Sequence, residues 1–192
     1  AAGVKAVLAL LVLLGSSTLL AAEPQVSRHY QYYQASGDSL AALQRSLHAN
    51  TPVQQNGQRF HAYTDTRVNW RFWWWEEADG RCRIERVETR VDITFTLPQL
   101  SADSRLPNSE RIVWERYLAA LTAHEEGHAR LGIDTARNIQ RGILALPQMT
   151  SCAALERSAN SLGEQALQRL RGAHIDYDRR TGHGASQGAR LP

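Results

Sequence analysis

The chain has 192 residues and a formal net charge of +3, with 43% hydrophobic and 21% charged residues. That length suits one ordinary domain with a real core and excludes a disordered or low-complexity chain. The only lysine is Lys5, and the arginines are interspersed with acids, as in Arg83-Ile84-Glu85-Arg86. There is no basic stripe to follow a nucleic-acid backbone, so no nucleic-acid partner is expected.

Residues 1–22 differ from the rest. Lys5 precedes the apolar run Ala6–Leu14, then come Gly15-Ser16-Ser17 and Leu19-Leu20-Ala21-Ala22. This is the layout of a signal peptide, with a charged start, a short apolar core and a cleavage site after Ala22. The run is too short for a comfortable span. The expectation is an exported domain of residues 23–192, periplasmic or secreted, with no stable membrane span after cleavage. The chain's two cysteines, Cys82 and Cys152, then form one disulfide, as oxidising compartments favour.

His29–Gln34 alternates loosely and reads as a first strand. Ser39 offers an N-cap, and Leu40, Leu43 and Leu47 give a helix over about 39–49. Asn56-Gly57 marks a tight turn. Val68, Trp70, Phe72 and Trp74 alternate with Asn69, Arg71, Trp73 and Trp75. Asp79-Gly80 turns this strand into a partner in which Val87, Thr89, Val91, Ile93, Phe95 and Leu97 share a face and Pro98 is the stop. The tryptophans read as a sheet covered on one face, with a ligand platform as the other possibility.

Asn108 or Ser109 caps a helical pattern that runs to about Leu144, long enough for a break near Gly127 or Gly132. A last helix from about Ser151 to Leu170 carries the stripe Leu155, Ala159, Leu162, Ala166, Leu170, with Gly172 as its cap. From Ala173 onwards no period is evident. The whole predicts an α+β fold: a small antiparallel sheet packed on a long helix and a C-terminal helix, zincin-like in outline.

The long helix contains His124-Glu125-Glu126-Gly127-His128. Positions i and i+4 share a helical face, so two imidazoles can reach one metal ion, with the intervening glutamate beside it as base. Tyr117, Leu121, His124, His128 and Leu131 make one inward stripe, where an unpartnered imidazole is costly. The chemistry this points to is a zinc hydrolase with Glu125 as general base acting on a peptide or protein. Glu126 reads as a solvated helix residue. A catalytic zinc needs a third protein ligand. The candidates are Asp134, six residues past His128; Glu156 or Glu164 on the next helix; and His183, between Gly182 and Gly184, where the backbone can approach closely.

Leu121-Thr-Ala-His124-Glu125-Glu126-Gly127-His128, the tail Tyr177-Asp178-x-x-Thr181-x-His183-Gly184 and the two cysteines together resemble the bacterial domain-of-unknown-function 922 family, regarded as secreted zinc-dependent proteases. The resemblance covers most of the chain after residue 22. It implies zinc held by His124, His128 and His183, with Tyr177 and Asp178 supporting them. Without the resemblance, two other readings are a non-catalytic periplasmic metal-binding domain and an envelope interaction domain built on the tryptophan hairpin.

Overall fold

A computed structural model describes residues 22–192; the expected signal peptide and its cleavage site lie largely outside them. Five strands and three helices follow one another as β1 (Gln25–Ala35), α1 (Leu40–Asn50), β2 (Gln54–Gln55), β3 (Gln58–Arg59), β4 (Tyr63–Glu76), β5 (Cys82–Leu100), α2 (Asn108–Leu144) and α3 (Cys152–Thr181), with one 3-10 turn at Ala185–Gln187. The architecture is α+β.

β5 is the centre of a three-stranded sheet ordered β1-β5-β4. Its buried face is the predicted one: Val87, Thr89, Val91, Ile93, Phe95 and Leu97 are all inaccessible. β4 pairs antiparallel to it through the Asp79-Gly80 hairpin, whereas β1 pairs parallel, Gln25 opposite Arg90 and Ala35 opposite Leu100. The sheet is therefore mixed, not wholly antiparallel. α1 and the small β2–β3 hairpin intervene between β1 and β4, and a chain that goes away and returns can add a parallel strand. Pro98 does not stop β5. It pairs with Tyr33, two residues beyond the last β4 partner, Thr96. There β5 has a single strand neighbour, so a nitrogen without hydrogen can face the open side.

α1 starts where Ser39 accepts a hydrogen bond from the Ala42 amide, as its sequence predicts. β2 and β3 turn on Asn56-Gly57, both at positive φ, the backbone of a two-residue hairpin turn.

α2 runs unbroken for 37 residues and has no side-chain N-cap. Its glycines are contact points, not breaks. A β-carbon on Gly127 would lie 2.0 Å from Tyr177 Oη, and one on Gly132 would lie 3.0 Å from Thr66. The larger departure from expectation is α3. It passes through Gly172, takes in Ala173–Thr181 and ends at Gly182 in the left-handed conformation. Gly142 meets Leu162, His128 meets His174 and His124 meets Asp178, so α2 and α3 form an antiparallel pair. Cys82 and Cys152 are disulfide-bonded, their Cα atoms 4.9 Å apart, and tie the start of α3 to the start of β5. No helix among the described residues is long and apolar enough to cross a membrane.

Candidate metal centre

α2 presents His124 and His128 one turn apart on its buried face. The last turns of α3 bring Asp178 opposite them. Asp178 Oδ1 lies 3.1 Å from His124 Nε2 and 2.9 Å from His128 Nε2. These three atoms lie within 4.8 Å of one another. The ligands of a tetrahedral zinc stand about 3.3 Å apart when each metal–ligand bond is about 2.0 Å, so the donor set has the right size.

The outer nitrogens decide what the inner ones can offer. His124 Nδ1 faces Gln187 Oε1 at 2.9 Å. The orientation of that amide is fixed, because Gln187 Nε2 donates to Tyr177 Oη, whose own proton goes to the His124 carbonyl. His124 must therefore donate from Nδ1, which leaves the Nε2 lone pair aimed at a carboxylate. His128 repeats the pattern. Its Nδ1 lies 2.8 Å from His174 Nδ1, and His174 Nε2 lies 3.2 Å from Thr66 Oγ1. Burial and the neighbouring His128 lower the His174 pKa to about 4, so this ring is neutral at pH 7. In the tautomer in which His174 donates to Thr66, its Nδ1 accepts from His128, and the second Nε2 lone pair also points at Asp178. Two lone pairs and a carboxylate oxygen converge, an arrangement satisfied by a proton or a metal cation.

The charges agree. Burial alone would raise the Asp178 carboxyl, but its contacts with the two imidazoles outweigh burial and hold it well below the usual range. Burial opposes charge on His124, yet hydrogen bonds to Asp178 and Gln187 and the adjacent carboxylates raise its pKa.

Glu125, buried beside this group, accepts from the Thr64 hydroxyl through Oε2 at 2.5 Å. Burial pushes its carboxyl up, and the Thr64 bond and the two imidazoles only partly offset this. A cleft of about 1330 Å³ opens over the group, with β4 as one wall, the second half of α3 as the other and His61, Glu125, His174 and His183 in its lining. The His61 ring accepts from or donates to Tyr117 Oη at 2.7 Å.

His183 stands at the rim. Its Nδ1 is 3.6 Å from Asp178 Oδ1, its side chain is 51% exposed and its ring packs on Phe60. The imidazole brought closest to the pair is His174. Tyr177 stacks on His124 at 4.9 Å between centroids. Asp134 is exposed and paired with Arg137, and Glu156 and Glu164 are exposed. Glu126 binds Arg28 of β1 at 2.7 Å. Sequence reasoning passed over His174, Thr64 and Gln187. For His174 a signal existed: the α3 stripe continues at helical spacing from Leu170 to His174 and Asp178, and reading Gly172 as a cap hid it.

Fold and site together define an α+β protein whose long helix carries a His-Glu-x-x-His motif, with an aspartate from the next helix between its two imidazoles. The chain belongs to the family of bacterial proteins of unknown function called DUF922, whose model matches residues 30–184. No curated protein and no solved structure matches it.

Proposed function

We propose that this protein is an exported zinc-dependent peptidase. The observation that carries the reading is the convergence of His124 Nε2, His128 Nε2 and Asp178 Oδ1 at the floor of an open cleft, with Glu125 beside them. We assign Asp178 as the third ligand and leave His183 at the cleft mouth, within reach of a bound substrate. Zinc held there would polarise a carbonyl and acidify water. Glu125 serves as general base and then acid, a role suited to a carboxyl whose pKa is raised by burial. Thr64 fixes one of its oxygens, so the other is presented for proton transfer. Gln187 and His174 hold the two imidazoles in the tautomer that offers Nε2. The disulfide supports export, since such bonds persist in oxidising compartments.

The test is metal analysis with three variants. Wild type should carry about one zinc per chain. Asp178→Asn should lose most of that affinity and His183→Ala little. Glu125→Gln should keep zinc while its hydrolysis of casein falls by orders of magnitude. Loss of zinc in His183→Ala with full retention in Asp178→Asn would reverse the ligand assignment. Equal activity of Glu125→Gln and wild type would end the catalytic reading and leave a metal-binding domain.

A further inference from the structure

We infer that His61 binds the peptide substrate: its Nε2–H donates to a main-chain carbonyl oxygen about three residues from the bond held at the metal centre. The inference rests on the peptidase reading of the cleft and adds a binding subsite to it.

His61 stands in the link between β3 and β4 and is clamped from two sides. Tyr33 of β1 donates its hydroxyl to the His61 carbonyl at 2.7 Å. Tyr117 Oη of α2 lies 2.7 Å from His61 Nδ1. Tyr117 is 3% exposed, and its hydroxyl has no other partner among the described residues. Burial pushes the Tyr117 pKa up, so the hydroxyl keeps its proton at pH 7. A buried hydroxyl proton needs an acceptor, and Nδ1 is the one at hand. Burial also lowers the His61 pKa, so the ring is neutral. A neutral ring that accepts at Nδ1 carries its hydrogen on Nε2.

That Nε2–H is free. Among the described residues no buried side-chain nitrogen or oxygen lacks a partner. Nε2 of His61 has no partner, so solvent reaches it, and the ring lines the cleft. Two observations set its distance from the metal centre. Tyr117 shares the buried face of α2 with His124 and precedes it by two turns, about 10 Å. Phe60, next to His61, packs on His183, whose Nδ1 is 3.6 Å from Asp178 Oδ1. Extended chain covers about 10 Å in about three residues.

The chemistry of the atom selects the ligand. This tautomer leaves no lone pair, so His61 neither ligates zinc nor takes a proton. Arg59 on β3 is turned to the carbonyls of His48 and Ala49 at the end of α1. A neutral donor without a guanidinium beside it suits the carbonyl of a peptide running through the cleft, not a terminal carboxylate.

The experiment uses zinc-loaded Glu125→Gln protein and casein-derived peptides with both ends blocked, one of about ten residues and one of about three. Calorimetric titration should find the long peptide bound more tightly. His61→Phe should lose about threefold to tenfold for the long peptide, the worth of one neutral hydrogen bond, and nothing for the short one. His61→Gln, which keeps an N–H donor, should recover part of the loss. Nitrogen NMR of the His61 ring should show hydrogen on Nε2, and that signal should shift when the long peptide is added. No binding of the long peptide, equal affinity in His61→Phe, or hydrogen on Nδ1 would overturn the inference. So would an equal loss for both peptides in His61→Phe and His61→Gln, the mark of a structural defect. Hydrolysis by wild type is read separately. Binding through His61 without hydrolysis ends the peptidase reading and leaves the donor, whereas hydrolysis with affinity indifferent to His61 does the reverse.

Discussion

Glu125 is placed where its charge is costly. Burial raises its carboxyl above the usual value. For an acid raised in the folded state, the folded protein binds more protons than the unfolded one in the window above pH 4.5, so stability falls as pH rises through that window. At neutral pH the charged form is a liability when no metal balances it. Glutamine keeps the volume and can still accept from Thr64. Glu125→Gln should therefore raise the melting temperature of chelator-treated protein at pH 7, and the gain should shrink near pH 4, as calorimetry would show. A melting temperature lower than wild type would count against a buried, unbalanced carboxylate. His174 acts through His128. Removing a hydrogen-bond partner of a metal-ligating histidine costs about 10- to 100-fold in affinity. His174→Ala should weaken zinc binding by that order in a competition titration, and His174→Asn, which can still accept from His128, should recover part of it.

At the scale of elements, the α2–α3 pair is what makes a site out of a motif. Gly127 lets Tyr177 lie flat on His124, because a β-carbon would overlap its hydroxyl and ring. Gly127→Ala should cost about 1–3 kcal/mol by overpacking and reduce zinc occupancy, read by denaturant melts and metal analysis. An unchanged melt would mean that Tyr177 can move aside freely. The disulfide closes a separation of 70 residues, worth about 4 kcal/mol in the chain-entropy model. Cys82→Ser/Cys152→Ser should lose stability of that order in urea. Its zinc affinity should change little, because the bridge lies at the far end of the sheet from the histidines.

For the whole molecule, the site depends on the C-terminal turns of α3. A chain ending at Gly172 lacks His174, Asp178 and Gln187 but keeps the β1-β5-β4 sheet and the contacts of Trp70 with α3. It should remain folded by circular dichroism yet bind zinc weakly, through two imidazoles alone. Zinc affinity equal to wild type would place the third ligand elsewhere. The long sheet separates the two ends of the protein, so substitutions at Trp74 and Trp75 should leave zinc affinity unchanged.

The sequence by itself determined the local features. Period-two alternation marked β5 and its buried face, Ser39 marked the start of α1, and i,i+4 spacing put His124 and His128 on one face of a helix. These follow from backbone geometry, which is written in nearby residues. The paired cysteines belong with them, because one even pair leaves a single intramolecular bridge. Only the tertiary structure decided that β1 runs parallel to β5, that Pro98 lies inside a strand and that Gly127, Gly132 and Gly172 do not end helices. For Pro98, Gly127 and Gly132 the residue's cost depends on its neighbours: a free strand edge, a tyrosine ring, a threonine. The third partner of the histidines was undecided for the same reason. Asp178 lies 50 residues from His128, and no spacing rule joins them; their meeting is set by where α3 packs on α2, a property of the folded core.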